Sequence, residues 1–120
     1  MKEKTKEERI KAEERRLIKV YGDLKNEKKL KAAQGLIQRA AYMRVTLEDC
    51  ETDILENGLT EKFSQGNQEP YDRKRPVADL YNSLNTSYQK IIKQLTDLLP
   101  AEERAEADPF IAFISGGGAK

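Results

Sequence analysis

The sequence predicts an all-α protein built on a long antiparallel helical hairpin. A charged helix precedes the hairpin, and a small β-hairpin or loop is inserted between its two long helices. Three observations carry this prediction. Apolar residues recur with alternating spacings of four and three across two long stretches. Gly, Asn and Pro punctuate the ends of those stretches. Leu, Ile, Val and Phe together supply only 26 of 120 residues, close to the compositional edge where packed cores become hard to build. Long helices that complete their burial against other copies suit such a composition, so a homo-oligomer is expected. The chain divides into a charged N-terminal helix over 1–22, a hairpin core over 23–99 with an insert at 59–75, and a flexible C-terminal tail over 100–120.

The first segment is charged at 12 of its first 16 positions, with both signs interleaved. Lys4 with Glu8 and Glu7 with Lys11 stand at i, i+4 and support a solvated helix. Ile10, Leu17, Ile18 and Tyr21 form only a thin apolar stripe. The expectation is a helix that frays at its start and docks through its last turn, before Gly22-Asp23 stops it.

The second segment, about Glu27 to Asn57, reads as one helix. Leu36, Ala40, Met43, Leu47, Cys50 and Ile54 form a heptad seam, and Ile37, Ala41 and Val45 widen it into a second apolar face. Asn57-Gly58 tolerates the left-handed conformation that ends a helix. In the insert, Leu59 to Phe63 alternates weakly and Gly66-Asn67 can take positive φ, which fits a short β-hairpin or flap. Pro70 limits pairing on its return arm. The last helix starts at Pro76 and runs to Leu99 before Pro100. Val77, Tyr81, Leu84, Tyr88, Ile91, Leu95 and Leu98 hold the 4-3 spacing without a break. Two such helices around a short insert fold back on each other.

Composition also narrows the chemistry. There is no His and only one Cys, so a Ser-His pair, a His-containing zinc site, an intramolecular disulfide and a CxxC pair are all excluded. The acidic run Glu48, Asp49, Glu51, Asp53 and Glu56 spreads around a helix and reads as a solvated surface and not a metal site. Cys50 reads as a small buried hydrophobe. No phosphate loop is present. No catalytic residue, cofactor, metal or small-molecule substrate is expected, and the charged start and the lack of an 18-residue apolar run predict a soluble protein with no membrane partner.

The net charge of +1 hides a segregated distribution. Residues 1–31 carry +5, residues 32–72 carry −5, residues 73–99 carry +3 and residues 100–120 carry −2. Arg73, Lys74 and Arg75 form a tight basic triplet that could neutralise phosphates, with Lys2, Lys4, Lys6, Arg15 and Arg16 as further candidates. Three solvated charges beside a loop explain the triplet equally well. In the tail, Phe110, Ile111, Phe113 and Ile114 make an apolar patch, suited either to docking on a partner or to folding back on the hairpin. No helix-turn-helix is visible, so base-specific reading has no local support.

Residues 36–99 resemble a known family. LIQRAAYMRVTLEDCETDILENG, then EKFSQGNQ, then KRPVADLYNSLNTSYQKIIKQLTDLLP are similar to the short terminase small subunits of phages and prophages of Gram-positive bacteria. The QGNQ insert, the Lys and Pro before the last helix, Tyr81 and the closing IIKQLTDLLP agree best. The resemblance implies a non-catalytic DNA-packaging factor in the cytoplasm of the bacterial host. It would assemble as a ring-like homo-oligomer, bind double-stranded viral DNA and hand it to a large subunit carrying the ATPase and nuclease. The other reading is a structural coiled-coil scaffold or adaptor with no nucleic-acid role.

Overall fold

The computed structural model describes residues 3–22 and 26–99. Five elements follow in order: α1 (Lys6–Tyr21), α2 (Glu27–Asn57), β1 (Thr60–Phe63), β2 (Tyr71–Lys74) and α3 (Pro76–Leu98). α2 and α3 pack together with a two-stranded antiparallel sheet at the turn between them, and α1 lies along α2. At about 1.5 Å per residue the 31 residues of α2 make a rod of roughly 46 Å, and α1 covers about half of it.

The start of α1 is not frayed as its polar sequence suggests. Thr5 accepts from the Glu8 backbone N–H at 3.1 Å, and the Glu8 carboxylate accepts from the Thr5 N–H at 3.4 Å. This reciprocal cap satisfies two of the helix's orphan donors. It takes Glu8 away from Lys4, and neither expected i, i+4 pair forms. Gly22 closes α1 by donating to the Ile18 carbonyl at 2.7 Å. A Cβ there would stand 2.5 Å from that same oxygen, so the position excludes a side chain.

α2 is capped by Asn26, whose side chain accepts from the Lys28 and Lys29 amides at 2.9 and 3.2 Å. It ends at Gly58, where φ is +80°, the region that Gly enters freely. Gly35 sits inside α2 at a cost of about 1 kcal/mol against Ala, and among the described residues no other helix or strand comes within 4 Å of where its Cβ would stand. α3 opens on Pro76, whose fixed φ suits a first helical turn. It ends one residue earlier than expected: Leu99 precedes a proline and takes ψ 151°, as crowding by the proline ring demands.

The insert is a β-hairpin in which three of the four cross-strand pairs are chemically matched, Thr60 opposite Lys74 being the exception. Glu61 faces Arg73 and Lys62 faces Asp72, with ion pairs of 2.7 and 3.0 Å. Phe63 faces Tyr71 edge-on at 5.9 Å. Such pairs are what stabilise an isolated ribbon that is marginal by length alone. Gly66, at φ +62°, takes the turn.

The core lies where all three helices meet. Leu17 and Tyr21 of α1, Ala33, Ile37, Ala40 and Ala41 of α2, and Leu95 and Leu99 form one buried cluster. The expected second apolar face of α2 is the one on which α1 packs: Ile37, Ala41 and Val45 are all buried. Of the α2 seam, Ala40, Leu47 and Cys50 are buried while Leu36, Met43 and Ile54 are half-buried. In α3 only Leu95 of the seam is fully buried, and Val77, Tyr81, Leu84, Tyr88, Ile91 and Leu98 are half-buried. The fully buried positions of α3 and its C-cap are Ala78, Leu95, Thr96 and Leu99. α3 is therefore rotated from its heptad line, which leaves Leu84 on its shoulder while Tyr88, Ile91 and Leu98 pack against the cluster.

Candidate nucleic-acid interface

The basic triplet follows directly from the ribbon's geometry, because β2 ends at Lys74 and Arg75 caps α3. Each of the three side chains already has an acidic partner. Arg75 Nη2 donates to both oxygens of Asp53 at 2.9 Å, and Nη1 donates to the Gly58 carbonyl at 2.7 Å. With its side chain only 18% exposed, Arg75 is a clasp that ties the end of α2 to the start of α3. The Asn57 amide and then the Arg75 guanidinium hold the Asp53 carboxyl below the usual carboxylate range. Arg73 Nε donates to Glu61 at 2.7 Å, and its guanidinium stacks 3.6 Å from the Phe63 ring centre. Lys74 pairs with Asp79 at 2.7 Å.

The candidates on α1 divide in two. Lys6 faces α2, with its ammonium 3.7 Å from Asp49 and 5.2 Å from the centre of the Tyr42 ring. Arg16 is held by both oxygens of Glu13, at 2.8 and 2.6 Å. Lys4 and Arg15 are exposed and form no ion pair among the described residues. Lys2 lies outside the described residues, as do Phe110, Ile111, Phe113 and Ile114.

Two residues that were not among the expected phosphate contacts join Arg15. Lys11 and Lys19 stand four positions either side of it, both exposed and both without an ion pair among the described residues. Spacing of four puts all three on one face of a helix, opposite the buried Leu17 and Tyr21. The signal was legible as K-x-x-x-R-x-x-x-K across residues 11–19.

The acidic run on α2 is less solvated than its spacing suggests. Asp49 and Glu48 receive Arg9 at 2.6 and 3.4 Å, and the Asp49 hydrogen bond is the main reason the Arg9 guanidinium holds its proton more tightly than usual. Glu51 accepts from the Tyr81 hydroxyl at 2.9 Å, which pushes that phenol up. Asp53 takes Arg75. Four of the five carboxylates are thus anchor points for α1 and α3. Among the described residues no three His, Cys, Asp or Glu side chains converge on a metal position. Cys50 is buried, and burial pushes its thiol up, which makes it a packing residue.

Electrostatically, the two basic regions are opposites. Ribbon cations are neutralised by neighbours within 3 Å, so a phosphate would have to displace a carboxylate to reach them. The outward face of α1 offers three cations with no ion-pair partner to displace among the described residues. None of the helices described is long and apolar enough to cross a membrane. No protein-family model matches this chain, and no curated protein or solved structure matches it either.

Proposed function

We propose that this chain is a non-catalytic DNA-binding adaptor of the terminase small-subunit kind. It works as a homo-oligomer, possesses no chemistry of its own, and passes double-stranded DNA to a large subunit that supplies ATPase and nuclease. The observation that carries the DNA contact is the stripe Lys11, Arg15 and Lys19 on the outer face of α1, which forms no ion pair among the described residues. Contacts of this type go to the sugar–phosphate backbone and confer little sequence preference. One copy with near-neutral net charge binds weakly, and repetition of the stripe around an oligomer multiplies the effect through effective concentration. Arg75 belongs to the fold and not to this surface, and Arg73 and Lys74 contribute less than the stripe.

Assembly is supported by leucines that the protomer leaves in solvent: Leu55 is 87% exposed, Leu80 54% and Leu59 52%. These leucines lie at the same end of the hairpin, where α2 ends and α3 begins, and an apolar surface there suits contact with further copies.

The test is a titration of the purified full-length protein with double-stranded DNA across a salt series. Changing Lys11, Arg15 and Lys19 together to Gln should lower the slope of log affinity against log salt by roughly 2.7 per copy engaged. Changing Arg73 and Lys74 to Gln should lower it less. A protein that scatters light as an oligomer but binds no DNA at low salt would leave the scaffold reading in its place.

A further inference from the structure

The face of α2 next to the α1 contact carries a groove that the described residues leave empty. It is lined by Gly35, Gln38, Arg39, Tyr42 and Met43, with Leu84 of α3 as its far wall, and has a volume of about 460 Å³. Tyr42 is 51% exposed, and the Lys6 ammonium stands 5.2 Å from its ring centre on the α1 side. Leu84 belongs to the shoulder that the rotation of α3 leaves uncovered. Gly35 forms the floor, with open space above its backbone, so a segment entering here can approach the helix closely.

We propose that this groove seats residues Phe110–Ile114 of the same chain. Reach, order and charge point to that occupant. α3 delivers the chain to Leu99 at the end of the hairpin where α2 begins. Leu84 lies 14 residues before the last residue of α3, about 21 Å back along the helix. The eleven residues from Leu99 to Phe110 span up to roughly 36 Å when extended, more than enough.

Order and charge match along the route. The same face of α2 presents Lys28 and Lys31 first, one to two turns before Gly35, and then Arg39. All three are exposed and form no ion pair among the described residues. The tail reads in the same order: Glu102, Glu103, Glu106 and Asp108 with only Arg104 against them, then PFIAFI. Its acidic stretch meets the basic start of α2, and its two phenylalanines arrive at the groove beside Tyr42 and Leu84. Aromatic side chains supply most of the burial in such a seat. This inference does not depend on the DNA-binding reading.

Disulfide trapping in the full-length chain tests it. Gln38 is exposed in the groove, so Gln38→Cys paired with Ala112→Cys places two thiols within bonding range if the tail is seated. Cys50 is buried and stays in place, and peptide mapping identifies the bond formed. The expected result is an intramolecular 38–112 disulfide at least tenfold above a control pair, Lys11→Cys with Ala112→Cys. Adding Phe110→Asp and Phe113→Asp should return the yield to the control level. Three results overturn the proposal: a yield equal to the control, a yield indifferent to the two Asp substitutions, or a disulfide between chains. The last would assign the groove to the tail of a neighbouring copy.

Discussion

The two ends of the helical hairpin are held together by different physics. At the base, where α1 joins, Leu17, Tyr21, Ile37, Leu95 and Leu99 are buried against one another. The polar contact set into that cluster is the hydrogen bond between the Tyr21 and Thr96 hydroxyls at 3.1 Å. At the tip, Arg75, Asp53, Glu61, Arg73, Tyr81 and Glu51 form clasps of ion pairs and hydrogen bonds, while Leu55, Leu59 and Leu80 stay in solvent. Burial depends little on salt or pH, whereas ion pairs are screened by salt and lost in acid. Cations at the tip are paired within the fold, whereas Lys11, Arg15 and Lys19 on the outer face of α1 form no ion pair among the described residues.

The strongest way to break this contrast is at the base. Leu95 is fully buried, so Leu95→Ala should cost about 2–5 kcal/mol of unfolding free energy through lost burial and the cavity left behind. Urea unfolding measures it, and a loss below about 1 kcal/mol would mean the base is not the main source of stability. Tyr21→Phe is gentler. It removes one hydroxyl and strands the Thr96 oxygen, which is otherwise buried. A loss of about 1–2 kcal/mol is expected, unchanged between low and high salt because neither partner is charged.

At the tip the expected signature is pH dependence. Asn57 and Arg75 depress the Asp53 carboxyl in the folded state. A depressed folded pKa means that the ionised form favours folding. The contribution is full above the unfolded carboxylate value of about 3.9 and disappears as pH falls through the folded one. Wild type and Asp53→Asn should therefore differ in stability by a constant amount from about pH 5 to 8 and converge in acid. Hydrogen exchange at the Arg75 amide, which donates to the Leu59 carbonyl at 2.8 Å, should speed up in Asp53→Asn. Exchange in the buried part of α2 should change much less. Equal acceleration at both places would show that base and tip open as one unit.

Much of this architecture was legible in the sequence because it depends on local rules. Both bounds of α2, the Pro76 start of α3 and the positive φ at Gly58 and Gly66 follow from residue type and spacing. The partners of charges were not legible. Glu48, Asp49, Glu51 and Asp53 look like a solvated surface on a helical wheel, because the wheel cannot say where α1 and α3 cross α2. The crossing brings Arg9 to Asp49, and it also lets α1 dock from its first turn. The partner of Arg75 was hidden for the same reason: its distance to Asp53 is set by the turn between the helices. The rotation of α3 off its heptad line is likewise a product of packing, since the buried Ala78 and Thr96 give no apolar signal. The stripe at 11, 15 and 19 is different. It is purely local and could be read directly.

The smallest expected effect tests whether the ribbon follows the rule of the tip in detail. Lys62 and Asp72 face each other across the strands at 3.0 Å, with both side chains well exposed. Glu61 and Arg73 face each other one pair closer to the helices, and Arg73 also stacks on Phe63. In water the first pair is a screened surface interaction, so a double-mutant cycle of Lys62→Gln and Asp72→Asn should return about 0.2–0.5 kcal/mol at low salt. It should return close to nothing at 1 M salt, where the Debye length is about 3 Å. The cycle of Glu61→Gln with Arg73→Gln should be larger and keep part of its value at high salt, because the stack lies against a ring and not in open solvent. Equal coupling in the two pairs, or coupling at 62–72 that survives high salt, would mean that strand geometry holds the ribbon and that its charges are free after all. The ribbon's cations would then join those of α1 in the proposed phosphate contact.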